Sequence, residues 1–154
     1  MKLHKLLRED MVLARLGGRT REDVLREMAE HVRARAALDE GLHERLLARE
    51  ELGTTAIGGG VAIPHCKAPG LKAPVLALGL SPEGVPFSSV DGRDTHVVFL
   101  VVSPLENPSV NLRVLASIAK LVRKSGDLAG KLLKAATSGE VVRVLGEEED
   151  RAHA

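Results

Sequence analysis

Two unbroken apolar runs, Val75–Leu80 and Val97–Val102, constrain this chain more than any other feature. Neither alternates polar with apolar residues. Each therefore reads as a strand buried on both faces, which needs covering layers above and below. Thr95–Ser103 is the best strand in the sequence, and Asp91-Gly92 before it is a turn signal. Pro82–Ser89 reads as loop, although Val85 and Phe87 alternate like an edge strand, and Val61-Ala62-Ile63 is a short strand stopped by Pro64. Amphipathic stretches supply the covering layers. Thr20 is placed to open a helix with Glu22 and Asp23 in its first turn, where carboxylates suit the dipole. Val24, Met28 and Val32 share one stripe of it, joined by Leu25 and Ala36. Asp39 is placed to cap a second helix, with Leu42, Leu46 and Leu47 inward and Arg49 near its end. Beyond the strands, Ser109 is placed to cap a helix reaching about Lys124, with Val114, Leu115, Ile118, Leu121 and Val122 at helical spacing, and Asp127–Ala136 is a shorter helix. Thr137 and Glu140 have capping-box spacing before Val141, Val142 and Leu145.

This order of helices, strands, strands and helices predicts an α/β (α+β layered) domain, a single mixed β-sheet flanked by helices. We expect one domain over residues 1–146, closed by Gly146, and an acidic flexible tail over 147–154. At 154 residues and 44% hydrophobic, the chain is long enough for one core.

Composition removes several function classes. The formal net charge is +1, Trp and Tyr are absent, and Phe87 and Phe99 are the only aromatics. A nucleic-acid partner is not expected, because such binders use basic excess and stacking aromatics. Cys66 is the lone cysteine, so no internal disulfide forms, which fits a reducing, cytoplasmic setting. The first residues lack a signal-peptide core, and no apolar stretch is long enough for membrane insertion.

The chemistry concentrates in Gly53–Lys67, where three glycines, Gly58-Gly59-Gly60, precede Val-Ala-Ile-Pro-His-Cys-Lys. Pro64 fixes the backbone before His65, and the glycines leave space around it. A neutral imidazole nitrogen can attack a phosphoryl group in line, and the transfer then needs positioning and charge stabilisation more than covalent chemistry. Arg49 is the natural partner, since its planar fork matches phosphoryl oxygens. Its alternative is a helix-end pair with Glu50 or Glu51, which spacing alone favours. The glycines read equally as a nest of anion-binding donors or as a tight turn.

Other sites are disfavoured. The glycine spacing at Gly53 and Gly58 lacks the lysine of a nucleotide loop, with Gly59 in its place, and Ile63 replaces the last glycine of a dinucleotide fingerprint. No metal or other cofactor is expected. His65 and Cys66 are adjacent, so they point to opposite faces of an extended segment, and no histidines stand at helical ligand spacing. His31 and His43 read as surface residues, His96 as structural, and His4 and His153 as idle. No serine sits in a nucleophile elbow.

Arg49-Glu50-Glu51-Leu52-Gly53-Thr54-Thr55-Ala56-Ile57-Gly58, followed by Gly60-Val61-Ala62-Ile63-Pro64-His65, resembles the signature of the enzyme IIA domain of the fructose–mannitol type. That family belongs to the phosphoenolpyruvate-dependent sugar phosphotransferase system and includes a nitrogen-regulatory version. The resemblance extends through Phe87–Gly92, the strand Val97–Val102 with Ser103-Pro104, and the helix with Leu112, Leu115, Ala116 and Ile118. It implies a mixed sheet flanked by helices. It also implies that His65 accepts phosphate from an HPr-like carrier protein and passes it to a IIB domain, with Arg49 contributing to the site. In the nitrogen-regulatory version, the phosphohistidine would instead control binding to a regulated kinase or transporter, and the stand-alone length leans that way. Two positions depart from the family. Asn111 stands where a second histidine is common, and its amide can hydrogen-bond a phosphoryl oxygen without titrating. Ala56 stands where glycine is usual, which stiffens that loop.

Overall fold

The two apolar runs pair with each other. In the computed structural model, which describes residues 1–153, they lie in β5 (Val75–Val85) and β6 (Thr95–Pro104). These strands are antiparallel, with Leu76 opposite Val101 and Leu78 opposite Phe99. Every residue of β6 from Val97 to Pro104 is buried, because the strand is paired on both sides and covered on both faces. Beyond β5 lies the short parallel strand β1 (Val12–Leu13). On the other side of β6 run β3 (Val61–Ala62) and β4 (His65–Ala68), both parallel to it. The same register offset holds before and after Ile63-Pro64. They form one line of chain, interrupted where proline has no N–H for the ladder. The Val101 N–H still reaches the Pro64 carbonyl at 3.0 Å. β2 (Ala56–Gly58) closes that edge, antiparallel to β3.

The sheet is thus single and mixed, with flanking helices, as expected. β2 and β4 are too short to carry a readable period. β5 runs past Pro82 to Val85, with a register irregularity after Leu80, through a stretch that reads as loop from sequence.

The helices are α1 (Leu3–Leu6), α2 (Arg21–Ala36), α3 (Leu42–Glu51), α4 (Pro108–Lys124), α5 (Leu128–Leu133) and α6 (Ser138–Ala152). Thr20 caps α2 by accepting the Asp23 N–H at 3.1 Å, and Thr137 caps α6 by accepting the Glu140 N–H at 3.1 Å. Two expected caps are displaced. Gly41 occupies the cap position of α3, while Asp39 accepts the Gly41 N–H at 3.1 Å and grips Arg45 at 2.7 and 2.9 Å. Asn107 precedes α4, and Pro108 opens it, a position where the missing N–H costs nothing.

The expected flexible tail is corrected by α6, which continues unbroken through Glu147 to Ala152. Glu148 and Glu149 are buried. Glu149 accepts the N–H groups of Leu3 at 2.6 Å and His4 at 2.8 Å, and lies 2.7 Å from His4 Nδ1. It therefore ties the first helix to the last, and His4 is not idle. Gly146 does not end the fold but lets α1 approach, since a Cβ there would come within 3.1 Å of His4. An acidic run reads as solvated because charge count does not reveal which carboxylates face inward. Ala154 lies outside the described residues.

Candidate active site

Pro64 interrupts the strand, and the next side chain turns back on the gap. His65 Nδ1 lies 2.8 Å from the carbonyl oxygen of Ile63. A carbonyl only accepts, so Nδ1 carries the proton and Nε2 keeps its lone pair. The ring is half-buried. Burial lowers its pKa below the ordinary histidine value, and the nearby Arg49 charge adds to this; the Ile63 hydrogen bond and Glu50 oppose it without reversing it. The imidazole is therefore neutral at neutral pH, with one nitrogen available as a nucleophile.

That nitrogen's ring lines a cleft of about 230 Å³, together with Arg49, Thr54, Thr55, Ile57, Ile63, Leu115 and Ala119. The structure thus brings Arg49 and His65 together, across sixteen residues of sequence that contain the whole β2–β3 hairpin. Arg49 sits in the last turn of α3, and its Nη1 donates to the Gly53 carbonyl at 3.0 Å. Among the described residues it makes no ion pair, so the helix-end pairing with Glu50 or Glu51 does not form. A guanidinium in this position has further N–H donors of the geometry that suits an oxyanion.

Glu50 turns the other way and is 1% exposed. Its Oε2 accepts the Thr55 N–H at 2.6 Å and its Oε1 accepts the Thr55 hydroxyl at 2.5 Å. Thr54 donates its hydroxyl to the Phe87 carbonyl and accepts the Ala56 N–H at 3.1 Å. The sequence names Glu50 only as a helix-end partner for Arg49 and gives Thr54 and Thr55 no role of their own. A signal for Glu50 does exist: it stands four residues beyond Leu46 and eight beyond Leu42, on the buried stripe of α3.

Asn111 is not among the residues that line this cleft. It lies one helical turn before Leu115, which does line it, and its Oδ1 accepts from Ser103 Oγ at 3.0 Å. Ser103 is opposite Lys67 in the β4–β6 register, two positions along from the His65–Val101 pair, so Ser103 and His65 project from one face of the sheet. With Oδ1 engaged, the Asn111 NH₂ group remains to donate.

The glycines resolve as a turn. Gly58, Gly59 and Gly60 all have positive φ; Gly58 ends β2, and Gly59-Gly60 connect it to β3. The Gly59 N–H goes to Asp91 Oδ2 at 3.0 Å, and the Gly60 carbonyl receives the N–H groups of His96 and Val97. Asp91 also accepts from Ser89 Oγ at 2.8 Å and the Arg93 N–H at 3.1 Å, which binds the Ser88–Gly92 loop to the hairpin. These hydrogen bonds hold its carboxyl below the usual range.

Cys66 packs near Arg45, and burial pushes its thiol up to about 11, so it is an unreactive neighbour of His65. His31 Nε2 lies 2.7 Å from the Asp10 carbonyl, and His96 Nδ1 lies 2.9 Å from the Ser81 carbonyl. His43 Nε2 is buried without a partner, so that ring is not the surface group its position implied. Among the described residues no group of three or more His, Cys, Asp and Glu side chains gathers at a point that could hold a metal. None of their helices is long and apolar enough to cross a membrane.

The profile of a family described as the phosphoenolpyruvate-dependent sugar phosphotransferase system, EIIA 2, matches residues 5–148. A nitrogen regulatory protein of Bradyrhizobium diazoefficiens is 35% identical over 150 residues, covering 94% of this chain and 95% of that protein. The fructose-specific EIIABC component of Bacillus subtilis is 26% identical over 151 residues, and there the chain spans only 24% of the relative's length. Among solved structures, the nitrogen regulatory protein IIA-Ntr of Neisseria meningitidis superposes with a TM-score of 0.80 at 25% identity, covering 93% of this chain and 98% of that one. The Escherichia coli IIA mannitol enzyme, in its complex with phosphorylated IIB, shares the fold with a TM-score of 0.74 at 18% identity, covering 92% of this chain and 99% of that one.

Proposed function

Because the chain belongs to the EIIA 2 family of the phosphoenolpyruvate-dependent sugar phosphotransferase system, we propose that it is a phosphoryl carrier whose acceptor atom is His65 Nε2. One observation carries this reading: the imidazole is held by the Ile63 carbonyl with Nε2 unprotonated, in a cleft that also receives the unpaired Arg49. The donor is an HPr-like phosphocarrier protein. Nε2 attacks its phosphoryl group in line, and the guanidinium of Arg49 binds the phosphoryl oxygens as they arrive. The Asn111 amide donates to one of those oxygens from the next turn of α4. The recipient is a IIB domain, as in the mannitol complex.

An exposed apolar rim at Ile57 and Val90 favours protein docking at this place. Ile57 lines the cleft and shares a second hollow with Val90 of the Ser88–Gly92 loop; both are exposed, Val90 to 98%. Exposed apolar patches mark interaction sites, and water excluded by a docked carrier strengthens the electrostatics of Arg49.

A second reading is favoured by the 35% identity to a nitrogen regulatory protein across nearly its whole length. There the phosphohistidine is a switch: roughly two added charges on this rim make or break the docking of a kinase or transporter. Both readings share one test. Incubation with phosphoenolpyruvate, enzyme I and a panel of HPr-like carriers gives an acid-labile mass gain of one phosphoryl group, absent from His65→Ala. No gain with any carrier, or a gain that persists in His65→Ala, overturns the assignment. Pull-downs with phosphorylated and His65→Ala forms then separate transport from regulation, since a switch changes the set of captured partners.

A further inference from the structure

We propose that Glu50 is a positioning residue that holds the His65 cleft in its accepting form and balances the charge the ring acquires, an inference that rests on the phosphocarrier reading. Glu50 is buried as completely as a core leucine, yet among the described residues no Lys, Arg or His pairs with it. Both its oxygens accept, and both partners belong to Thr55. A buried carboxylate held only by neutral donors is costly, since burial is normally offset by a cation.

What it does for the cleft follows from its neighbours. Its bonds to Thr55 fix the segment Gly53–Ala56 against the end of α3. The same segment supplies the Gly53 carbonyl that steadies Arg49, and it brings Thr54 and Thr55 to the cleft wall. A single side chain thus sets the position of the guanidinium relative to the imidazole.

Its charge has a second use. As His65 Nε2 attacks phosphorus, a new N–P bond forms. The donor's N–P bond breaks, and its electron pair stays on the donor's imidazole nitrogen. The proton stays on Nδ1, which donates it to the Ile63 carbonyl, so the phosphorylated ring becomes an imidazolium bearing one positive charge beside the dianionic phosphoryl group. The charged groups within electrostatic reach of the ring are Arg49 and Glu50, both from α3. The rest of the cleft wall is Leu115 and Ala119 from α4, Ile57 and Ile63 from the β2–β3 side, and the two threonines, none of them charged. Arg49 therefore serves the phosphoryl oxygens, and Glu50 serves the ring.

The full chain carrying Glu50→Gln or Thr55→Val tests this. Titration of the His65 ring by NMR needs no phosphodonor: Glu50→Gln moves its midpoint to lower pH, whereas Thr55→Val, which keeps the charge, leaves it in place. Phosphoryl acceptance from an HPr-like carrier falls about tenfold or more in Glu50→Gln. An unmoved midpoint in Glu50→Gln, or the same shift in both variants, reduces Glu50 to a structural residue and overturns the proposal. Should Glu50→Gln fail to fold, Glu50→Asp withdraws the carboxylate from Thr55 while keeping its sign; acceptance several-fold slower is expected, and a rate equal to wild type overturns the proposal. Absence of phosphorylation in the wild-type chain would instead sink the carrier reading, and the titration would still decide whether Glu50 acts on His65.

Discussion

Glu50 and Glu148 are buried to nearly the same degree, at 1% and 3% exposure, but their surroundings are opposite. Glu148 accepts from Lys131 Nζ at 2.8 Å, Arg151 Nη1 at 2.5 Å and the Ser125 hydroxyl. It locks α6 to α5 and to the end of α4 as a neutralised cluster. Glu50 has two hydrogen bonds from one threonine and no cation, although Arg49 is the next residue. Arg49 instead faces the cleft. At Glu148 the carboxylate's charge is cancelled by cations; beside the proposed His65 nucleophile, the opposite charges of Glu50 and Arg49 are kept apart. Local rules of pairing are broken at functional places and obeyed elsewhere.

The comparison breaks first at Arg49. Arg49→Gln removes a charge that the folded chain does not use for pairing, so stability should change by no more than about 0.5 kcal/mol in a urea melt. Phosphoryl acceptance should fall about 10²–10³-fold, the usual loss for one preorganised donor at a centre of developing charge. A large stability loss with a normal rate would place Arg49 among the structural charges.

Glu148 should give the reverse. Glu148→Gln leaves the Ser125 hydroxyl facing an amide and sends Lys131 and Arg151 back to water. Both cations are already partly exposed, so the loss is that of imperfectly satisfied buried groups, about 1–3 kcal/mol. The rate of phosphoryl acceptance should not change. A slowed rate in a fully folded variant would show that α6 communicates with the cleft.

The contrast between these two carboxylates also marks what the sequence makes legible. The strands Val75–Leu80 and Val97–Val102, the caps Thr20 and Thr137, and the stripe of α2 are written in periodicity and local chemistry, and they form as read. His65 and Arg49 are named by their local motif, but their convergence depends on β3 and β4 keeping one register across Pro64. Glu148, Glu149 and Glu50 are legible only as charges. Their inward orientation depends on partners from distant segments: Ser125 and Lys131 for Glu148, Leu3 and His4 for Glu149. Thr55 is only five residues from Glu50, but it comes into reach after the chain reverses at Gly53, where φ is +156°. A glutamate run gives no warning of any of this, which is why residues 147–152 read as tail and fold as helix.

Acid titration is the finest probe of the comparison, because both sites respond with the same sign in different windows. Burial lowers the pKa of His65, helped by Arg49, so below its ordinary value of 6.5 the unfolded chain binds a proton that the folded chain refuses. Stability therefore falls as pH drops below 6.5, and stops falling once the folded ring is protonated too. Burial raises the pKa of Glu148, but the hydrogen bonds from Lys131 and Ser125 outweigh it, and the net shift is downward. Its stability contribution is whole above 4.5 and is lost as pH falls through the folded value. Urea melts across pH should show both declines. His65→Gln flattens the upper one, only in part because His153 is also lowered and titrates there, while Glu148→Gln flattens the lower one alone. Catalysis follows His65 only. Acceptance should vary by less than about twofold between pH 8 and 6.5, since the ring is already neutral, and fall at lower pH. Arg49→Gln should move that fall upward by removing the cation that helps keep the ring deprotonated. A rate that instead declines with the lower, Glu148 window would mean the cleft is lost with the fold rather than by protonation of its nucleophile.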